Sequence, residues 1–456
     1  MLQPILFTIV TIATFVVAWQ RYMTVRRNVL LGKDVPADAP MGAGGTGNTT
    51  RRWRNVLLIA FGQQKMFKRW IPAVFHFFIY AAFVITQVEL IEIFVDGFTG
   101  NHRIFALPLG GFYTFVISFI EILSLLAFVA TFIFLARRNL LKVPRFHKQE
   151  MKGWPQLDGN LILYGEILLL TGIFSMNGAD TVLQSMGAAH YPDIPDFAVS
   201  SWLGPALFNG LSEGALVGIE RFGWWLHALV VFAFILYLPI SKHLHILLSF
   251  PNTYYAKLSP RGQMTNMPDI QREVANMMNP EAAAATPEAE QVFSFGANDV
   301  FSLTWKNLLD AYTCTECGRC TSVCPANLTG KKLSPRKIMM DVRDRVEEIG
   351  RNLDSKDHKF QIPVAELRTP GRYDDGKTLF DYISREEIHA CTTCNACVEA
   401  CPVLIDPLDV ILQLRRHEIL MESAGPADWL PMFNSLENSQ SAWALAEARD
   451  AWREGV

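Results

Sequence analysis

Five runs of about 20 apolar residues constrain this chain more than any other feature, because that length of helix matches a hydrocarbon core of about 30 Å. They extend from Leu2 to Trp19, Ile71 to Phe94, Phe112 to Leu135, Asn160 to Asn177 and Phe222 to Ile240. At such depth each backbone N–H and C=O needs a partner within the segment, so each run is expected to be a spanning helix. A shorter run, Asn55 to Phe61, cannot cross and is expected to lie at the interface as a turn of helix. The 456 residues are 50% hydrophobic and only 19% charged, which argues against disorder and against a purely soluble domain. A net charge of -3 gives no support to nucleic-acid binding.

Orientation follows from basic residues in the loops. Ten lie between the first two runs: Arg21, Arg26, Arg27, Lys33, Arg51, Arg52, Arg54, Lys65, Lys68 and Arg69. Six more, from Arg137 to Lys152, lie between the third and fourth, whereas the other two loops hold only Arg103 and Arg221. The positive-inside rule therefore places the N-terminus outside and everything after the fifth run in the cytoplasm. No Lys or Arg precedes Arg21, so the first run reads as a retained span and not as a cleaved leader.

Beyond the fifth run the composition changes. Met264 to Gln291, with its alanine run and prolines, reads as a flexible linker, and Pro36 to Thr50 is a similar slack stretch in the first inner loop. Pro335 to Gly350 and Leu408 to Ser423 show helical periodicity, and no strand alternation recurs. The expected fold class is all-α, a five-helix transmembrane bundle followed by a helical domain, with divisions expected as a membrane domain over 1–250, a linker over 251–300, the helical domain over 301–425 and a partner-contacting tail over 426–456.

All eight cysteines fall in two copies of C-x2-C-x2-C-x3-C-P: Cys314, Cys317, Cys320, Cys324 with Pro325, and Cys391, Cys394, Cys397, Cys401 with Pro402. Three thiolates at this spacing wrap one cubane, and the fourth is directed to the other cluster in two-cluster ferredoxins. One [4Fe-4S] cluster is thus expected on Cys314, Cys317, Cys320 and Cys401, and a second on Cys391, Cys394, Cys397 and Cys324. Disulfides do not suit a reducing compartment, and zinc takes one set of four ligands without trailing prolines. The 67 positions from Cys324 to Cys391 exceed the connection in a small ferredoxin and favour a helical one, so the helical domain over 301–425 is expected to be an α-helical dicluster ferredoxin domain with two [4Fe-4S] clusters.

Of the ten histidines, seven (His102, His147, His190, His243, His358, His389 and His417) read as loop, surface or interfacial residues. His76 lies near the inner end of the second run, His227 near the outer start of the fifth and His245 at its inner end. In one continuous helix the 18 residues between His227 and His245 make five turns, which puts both on one face about 27 Å apart, with His243 turned away. His76 and His245, at matching depth, are the candidate ligand pair for a haem iron. Glu89 and Glu92 read as outer-interface residues. Glu121 and Glu166 lie deeper and are candidates for quinone protonation or for contact with a haem propionate.

These residues resemble known families. The N-terminal half resembles the five-helix cytochrome b subunit of respiratory nitrate reductase and its relatives in membrane heterodisulfide reductase and sulfite-reduction complexes. That family carries two haem-ligating histidines eighteen residues apart in its fifth span, matched here by His227 and His245. Its second span carries two, ten residues apart, of which His76 matches the first while Thr86 stands in place of the second. The resemblance implies haem b between His76 and His245, and leaves a second haem at His227 without its usual partner. The C-terminal half is similar to the helical ferredoxin of the heterodisulfide reductase C-subunit type, on Cys314 to Lys337, on the C-T-T-C-N-A-C-V-E-A-C-P stretch, and on Leu414, Arg415 and Arg416.

The resemblance implies a subunit of a bacterial or archaeal inner-membrane oxidoreductase that relays electrons between a cytoplasmic partner and menaquinone or ubiquinone. The partner is expected to be a CCG-domain iron–sulfur protein on a separate chain, since similar fused proteins continue into such a domain, or a flavoprotein. The alternatives are an anchor for a heterodisulfide reductase-like, sulfur-metabolism or electron-transfer flavoprotein:quinone oxidoreductase complex, or a membrane redox sensor.

Overall fold

The computed structural model describes residues 2–35, 48–191, 194–279, 295–363, 366–367, 372–443 and 451–453. Among them there is no strand. The chain forms two compact units that interleave along the sequence. One comprises Met1–Arg27, Asn55–Phe250 and Thr315–Gly318; the other comprises Asn28–Arg54, Pro251–Cys314 and Arg319–Val456.

The first unit holds α1 (Leu2–Val29), α2 (Trp70–Ile85), α3 (Gln87–Thr99), α4 (Gly111–Asn139), α5 (Trp154–Ser185), α6 (Ser200–Phe208) and α7 (Glu213–Tyr237). Five helical stretches are long and apolar enough to cross a membrane: Leu2–Val29, Phe67–Thr99, Gly111–Asn139, Trp154–Ser185 and Glu213–Ile240. The apolar runs thus locate every span but understate its length. The fourth, read as the shortest, is a 32-residue helix, because Asp158 and Asp180 continue it as buried, partnered residues. The short run reads correctly as a turn of helix, of π type over Val56–Phe61.

Two features shape this bundle. The second span loosens at Thr86, where the Phe83 carbonyl receives the Gln87 side-chain amide at 2.8 Å and the Thr86 hydroxyl at 3.4 Å. A side chain thereby competes for a carbonyl the helix would otherwise use, while Leu90 N still donates to Thr86 O at 2.9 Å. The fifth helix stops at Tyr237, and two 3-10 turns, Leu238–Ile240 and Lys242–Leu244, precede α8 (His245–Tyr254). Pro239 lies in this break. The expectation that His227 and His245 share one face of a continuous helix is therefore corrected.

Packing within the unit relies on small residues and one aromatic plug. Phe7 is fully buried, with the rings of Phe94, Phe98, Trp224, Trp225 and Phe232 at 5.2–6.2 Å. A Cβ at Gly97 would meet the Phe7 ring at 2.6 Å. The backbones of α5 and α7 touch where Gly172 faces Gly223, the close approach that small residues permit between spanning helices.

The second unit contains α9 (Pro268–Met278), α10 (Trp305–Thr313), α11 (Pro335–Asp354), α12 (Ala396–Ala400), α13 (Pro407–Leu420) and α14 (Trp429–Ser439). The helices read over Pro335 to Gly350 and Leu408 to Ser423 are present as α11 and α13. Each starts at a side-chain cap: Thr304 for α10, Ser334 for α11, Asp406 for α13. Leu308, Ile338, Val342, Val346, Ile349, Val410, Ile411 and Leu414 are fully buried. Arg345, also fully buried, donates to Asp299 at 2.7 Å and to Asp375 at 2.6 Å.

Within the stretch expected as a linker Pro268–Met278 is helical; residues 280–291 of it lie outside the described residues, as do 36–47 of the other slack stretch. The loop that follows the first span also contributes to this unit. Lys33 N donates to Leu303 O at 2.8 Å, Trp305 N donates to Lys33 O at 3.0 Å, and Asn28 donates to the Tyr312 hydroxyl at 3.0 Å.

A Cβ at Gly223 would stand 2.7 Å from both Gly172 O and Met176 N. Gly223→Val is expected to destabilise the bundle by about 3 kcal/mol, the upper end of overpacking costs, measured as a lowered unfolding temperature of the purified protein.

Candidate metal centres

The two cysteine motifs share a backbone. The second and fourth residues after the first cysteine are left-handed in both: Glu316 (φ 54°) and Gly318 (φ 69°), then Thr393 (φ 55°) and Asn395 (φ 60°). The fourth cysteines also match, Cys324 at φ -73°, ψ 118° and Cys401 at φ -71°, ψ 124°. Alternating handedness curls successive N–H groups into a concave nest suited to an anionic group such as an iron–sulfur cluster. Thr393 N donates to Cys391 Sγ at 3.4 Å, and Ile405 N donates to Cys401 Sγ at 3.3 Å.

None of the eight cysteines forms a disulfide. Burial pushes the Cys391 thiol up, and negative charge on Cys324 and Cys394 acts in the same direction. Burial also raises Cys397, with Asp406, Cys391 and Cys324 adding to it. Cys324 of the first motif is therefore an electrostatic neighbour of Cys391 and Cys397 of the second. Cys314, Cys320 and Cys401 lie in the same unit, whereas Cys317 lies in Thr315–Gly318, which groups with the membrane helices. Arg415 fastens the second loop, donating to Ile388 O at 2.8 Å and to Cys391 O at 2.5 Å.

In the first unit, three histidines direct Nδ1 at an oxygen that has no hydrogen to give. His76 Nδ1 donates to Gln63 Oε1 at 3.0 Å, His245 Nδ1 to Lys242 O at 3.1 Å, and His227 Nδ1 to Leu169 O at 3.3 Å. A ring held this way keeps its Nε2 lone pair for a metal, as metal-bound histidines do. These are the three histidines singled out from the sequence, each with Nδ1 tied to an oxygen. His243 is the correction: it is not turned away but lies 5.9 Å from the His245 ring, against Phe234. Burial lowers its pKa to about 3, and the charges of His245 and His76 act in the same direction. The sequence signal for this was Pro239, which breaks the helix whose wheel had placed His243 elsewhere.

The turn carrying these residues is held by Asp158, which is 3% exposed. It accepts from the Tyr237 and Ser241 hydroxyls, both at 2.6 Å, and from Lys242 N at 3.0 Å. Lys242 Nζ is buried and forms an ion pair with Glu316, the left-handed residue of the first cysteine motif. Of the two deep acids, Glu121 is fully buried and accepts from Val199 N at 2.8 Å, Ser200 N at 3.0 Å, Asn177 Nδ2 at 3.1 Å and the Ser200 hydroxyl. Glu166, on α5, is only part-buried.

A bundle of bilayer-length helices joined to a nest-forming pair of four-cysteine loops defines the class, a membrane protein with an iron–sulfur domain. Residues 313–405 match the family described as "4Fe-4S dicluster domain", which supports iron–sulfur clusters as cofactors of that region. The chain is 28% identical over 428 residues to the probable iron-sulfur-binding oxidoreductase FadF of Bacillus subtilis, covering 88% of this chain and 54% of that one. It is 25% identical over 414 residues to the EtfAB:quinone oxidoreductase of Syntrophomonas wolfei, covering 87% and 53%. It is 33% identical over 148 residues to a probable membrane-anchored ferredoxin of Chromohalobacter salexigens, covering 31% and 21%. The chain thus spans about half the length of the first two relatives. No solved structure matches it.

Asp158→Ala would leave Lys242 N and two hydroxyls without their acceptor. A loss of about 3 kcal/mol is expected, with Asp158→Asn milder because an amide oxygen still accepts, read from unfolding temperatures of the two variants.

Proposed function

We propose that this chain is a membrane-anchored electron-transfer subunit of an oxidoreductase, joining a redox partner on the side of its iron–sulfur domain to a quinone, menaquinone or ubiquinone, in the bilayer. The observation that carries this reading is the electrostatic influence of Cys324 on Cys391 and Cys397 of the other motif, in a chain with five bilayer-length helices. Bound [4Fe-4S] clusters and haem b would supply the one-electron chemistry. Cys391, Cys394, Cys397 and Cys324 would hold one cluster, and Cys314, Cys317, Cys320 and Cys401 the other.

His76 and His245 would ligate haem b through Nε2, with Gln63 and the Lys242 carbonyl fixing their rings, in keeping with the resemblance to the nitrate reductase cytochrome. His227 is held in the same manner by Leu169, but Thr86 offers no nitrogen where that family has its second ligand, so one haem is proposed. Glu166 is the better candidate for quinone protonation, since Glu121 already accepts four hydrogen bonds. By the distribution of Lys and Arg the iron–sulfur domain would face the cytoplasm. A flavoprotein partner is favoured over a CCG-domain protein by the name of the Syntrophomonas wolfei relative.

Two measurements test this. Protein purified from anaerobic membranes is expected to carry about eight irons per chain in clusters, and Cys324→Ser is expected to lose about half of them; unchanged iron content would remove Cys324 from the ligand set. The reduced protein is expected to show b-type haem absorption that disappears in His76→Ala and His245→Ala and persists in His227→Ala. Absence of those bands from the wild-type protein would rule out the haem.

A further inference from the structure

Thirteen residues beyond His76, about 20 Å of helix rise, the first unit encloses a second polar region that the proposed electron path does not use. Its centre is Arg103, 5% exposed, in a left-handed conformation (φ 48°). Arg103 donates to Asp180, to the Tyr113 hydroxyl at 3.0 Å and to Asn177 Oδ1 at 2.8 Å. Around it the acids are saturated with donors. Glu92 accepts from Phe105 N at 3.0 Å and from the Tyr113 hydroxyl at 2.6 Å. Asp96 accepts from Arg103 N at 2.7 Å and Ile104 N at 3.2 Å. Asp180 also receives His102 at 3.3 Å, and Glu121 accepts its four hydrogen bonds.

Glu89 is the exception. It is 3% exposed on α3, and neither carboxyl oxygen has a hydrogen-bond partner. The charges acting on it are Arg103 from the loop after α3, Glu121 from α4 and Glu92 from its own helix, and the nearby Asn177 amide is directed to Glu121. Arg103 already faces Asp180, and the other cation of this region, Arg221, is engaged by Glu220. A carboxylate buried at membrane depth with no donor is strongly disfavoured, whereas the neutral acid needs none.

We propose that Glu89 is a proton-binding site: a carboxylic acid that is protonated in the resting protein at neutral pH and that exchanges its proton within the Arg103 chamber. In that exchange the O–H bond at Glu89 breaks and the proton passes to water, with no change of oxidation state. Ionisation would leave a carboxylate facing Arg103 from α3, with Glu92, Asp96, Tyr113, Glu121, Asp180 and His102 as the other titratable groups of the chamber. This site does not depend on the haem or quinone reading.

The test is infrared spectroscopy of the full chain in lipid nanodiscs at pH 7. The wild-type minus Glu89→Gln difference is expected to contain the carbonyl band of a protonated carboxylic acid, shifted in D2O. Gln has the shape of the neutral acid, so Glu89→Gln is expected to fold as the wild type does. Should it not accumulate, Glu89→Asp carries the same test, since the protonated band then shifts in frequency. A carboxylate signature in the Glu89→Gln difference, or an acid band that is unmoved in Glu89→Asp, overturns the proposal. A missing haem leaves this readout intact, so its failure and that of the electron-transfer reading are distinguishable.

Discussion

Inside a bilayer the solvent offers no hydrogen bonds, so a polar group this chain carries into its helical bundle is costly unless another group of the chain closes it. Most of what distinguishes the membrane unit follows from that requirement. Asp158 gathers two hydroxyls and a backbone amide where the fifth span breaks, which is what allows Lys242, His243 and His245 to leave the helix without stranding their backbone. Arg103 performs the corresponding service at the far side of the bundle, joining acids and an amide from α3 and α5 with the α4 phenol. Between these two centres the helices pack largely through apolar contact, with Phe7 and the glycine approaches setting how closely they lie.

The iron–sulfur domain obeys a different constraint. Its loops are defined less by side-chain burial than by backbone handedness, repeated at matching positions with different residues. Glycine at 318 is the expected occupant of a left-handed position; Glu316, Thr393 and Asn395 are not all natural ones. That three non-glycine residues hold this conformation indicates a backbone shaped for what it encloses. The long interval between the motifs is taken up by α11 and its Arg345 ion pairs.

Those two constraints explain what could be read from the sequence. The spans were legible because hydrocarbon length imposes a run of apolar residues, but their ends were not, because helices continue through polar residues once those have partners. The four-cysteine loops were legible because cluster chemistry imposes the spacing. The ring orientations of His76, His227 and His245 could not be read, since they depend on Gln63, Leu169 and Lys242, which approach from other turns or other helices. His243 was misplaced by a helical wheel that Pro239 interrupts. Glu89 was read as an interfacial residue because its position along the run says nothing of the donors its neighbours have already taken.

The interleaving of the two units bears on how the protein is made. Asn28, at the end of the first span, finds its partner in Tyr312, 284 residues later. At ordinary synthesis rates of about 5–20 residues per second, the segment after the first span waits on the order of 15–60 s for the surface it joins. Through that interval four further helices must enter the bilayer while a stretch bearing Lys33 and Gly32 stays uncommitted. Biogenesis of this chain is therefore ordered by translation, with the membrane half laid down first and its own first loop among the last pieces to settle.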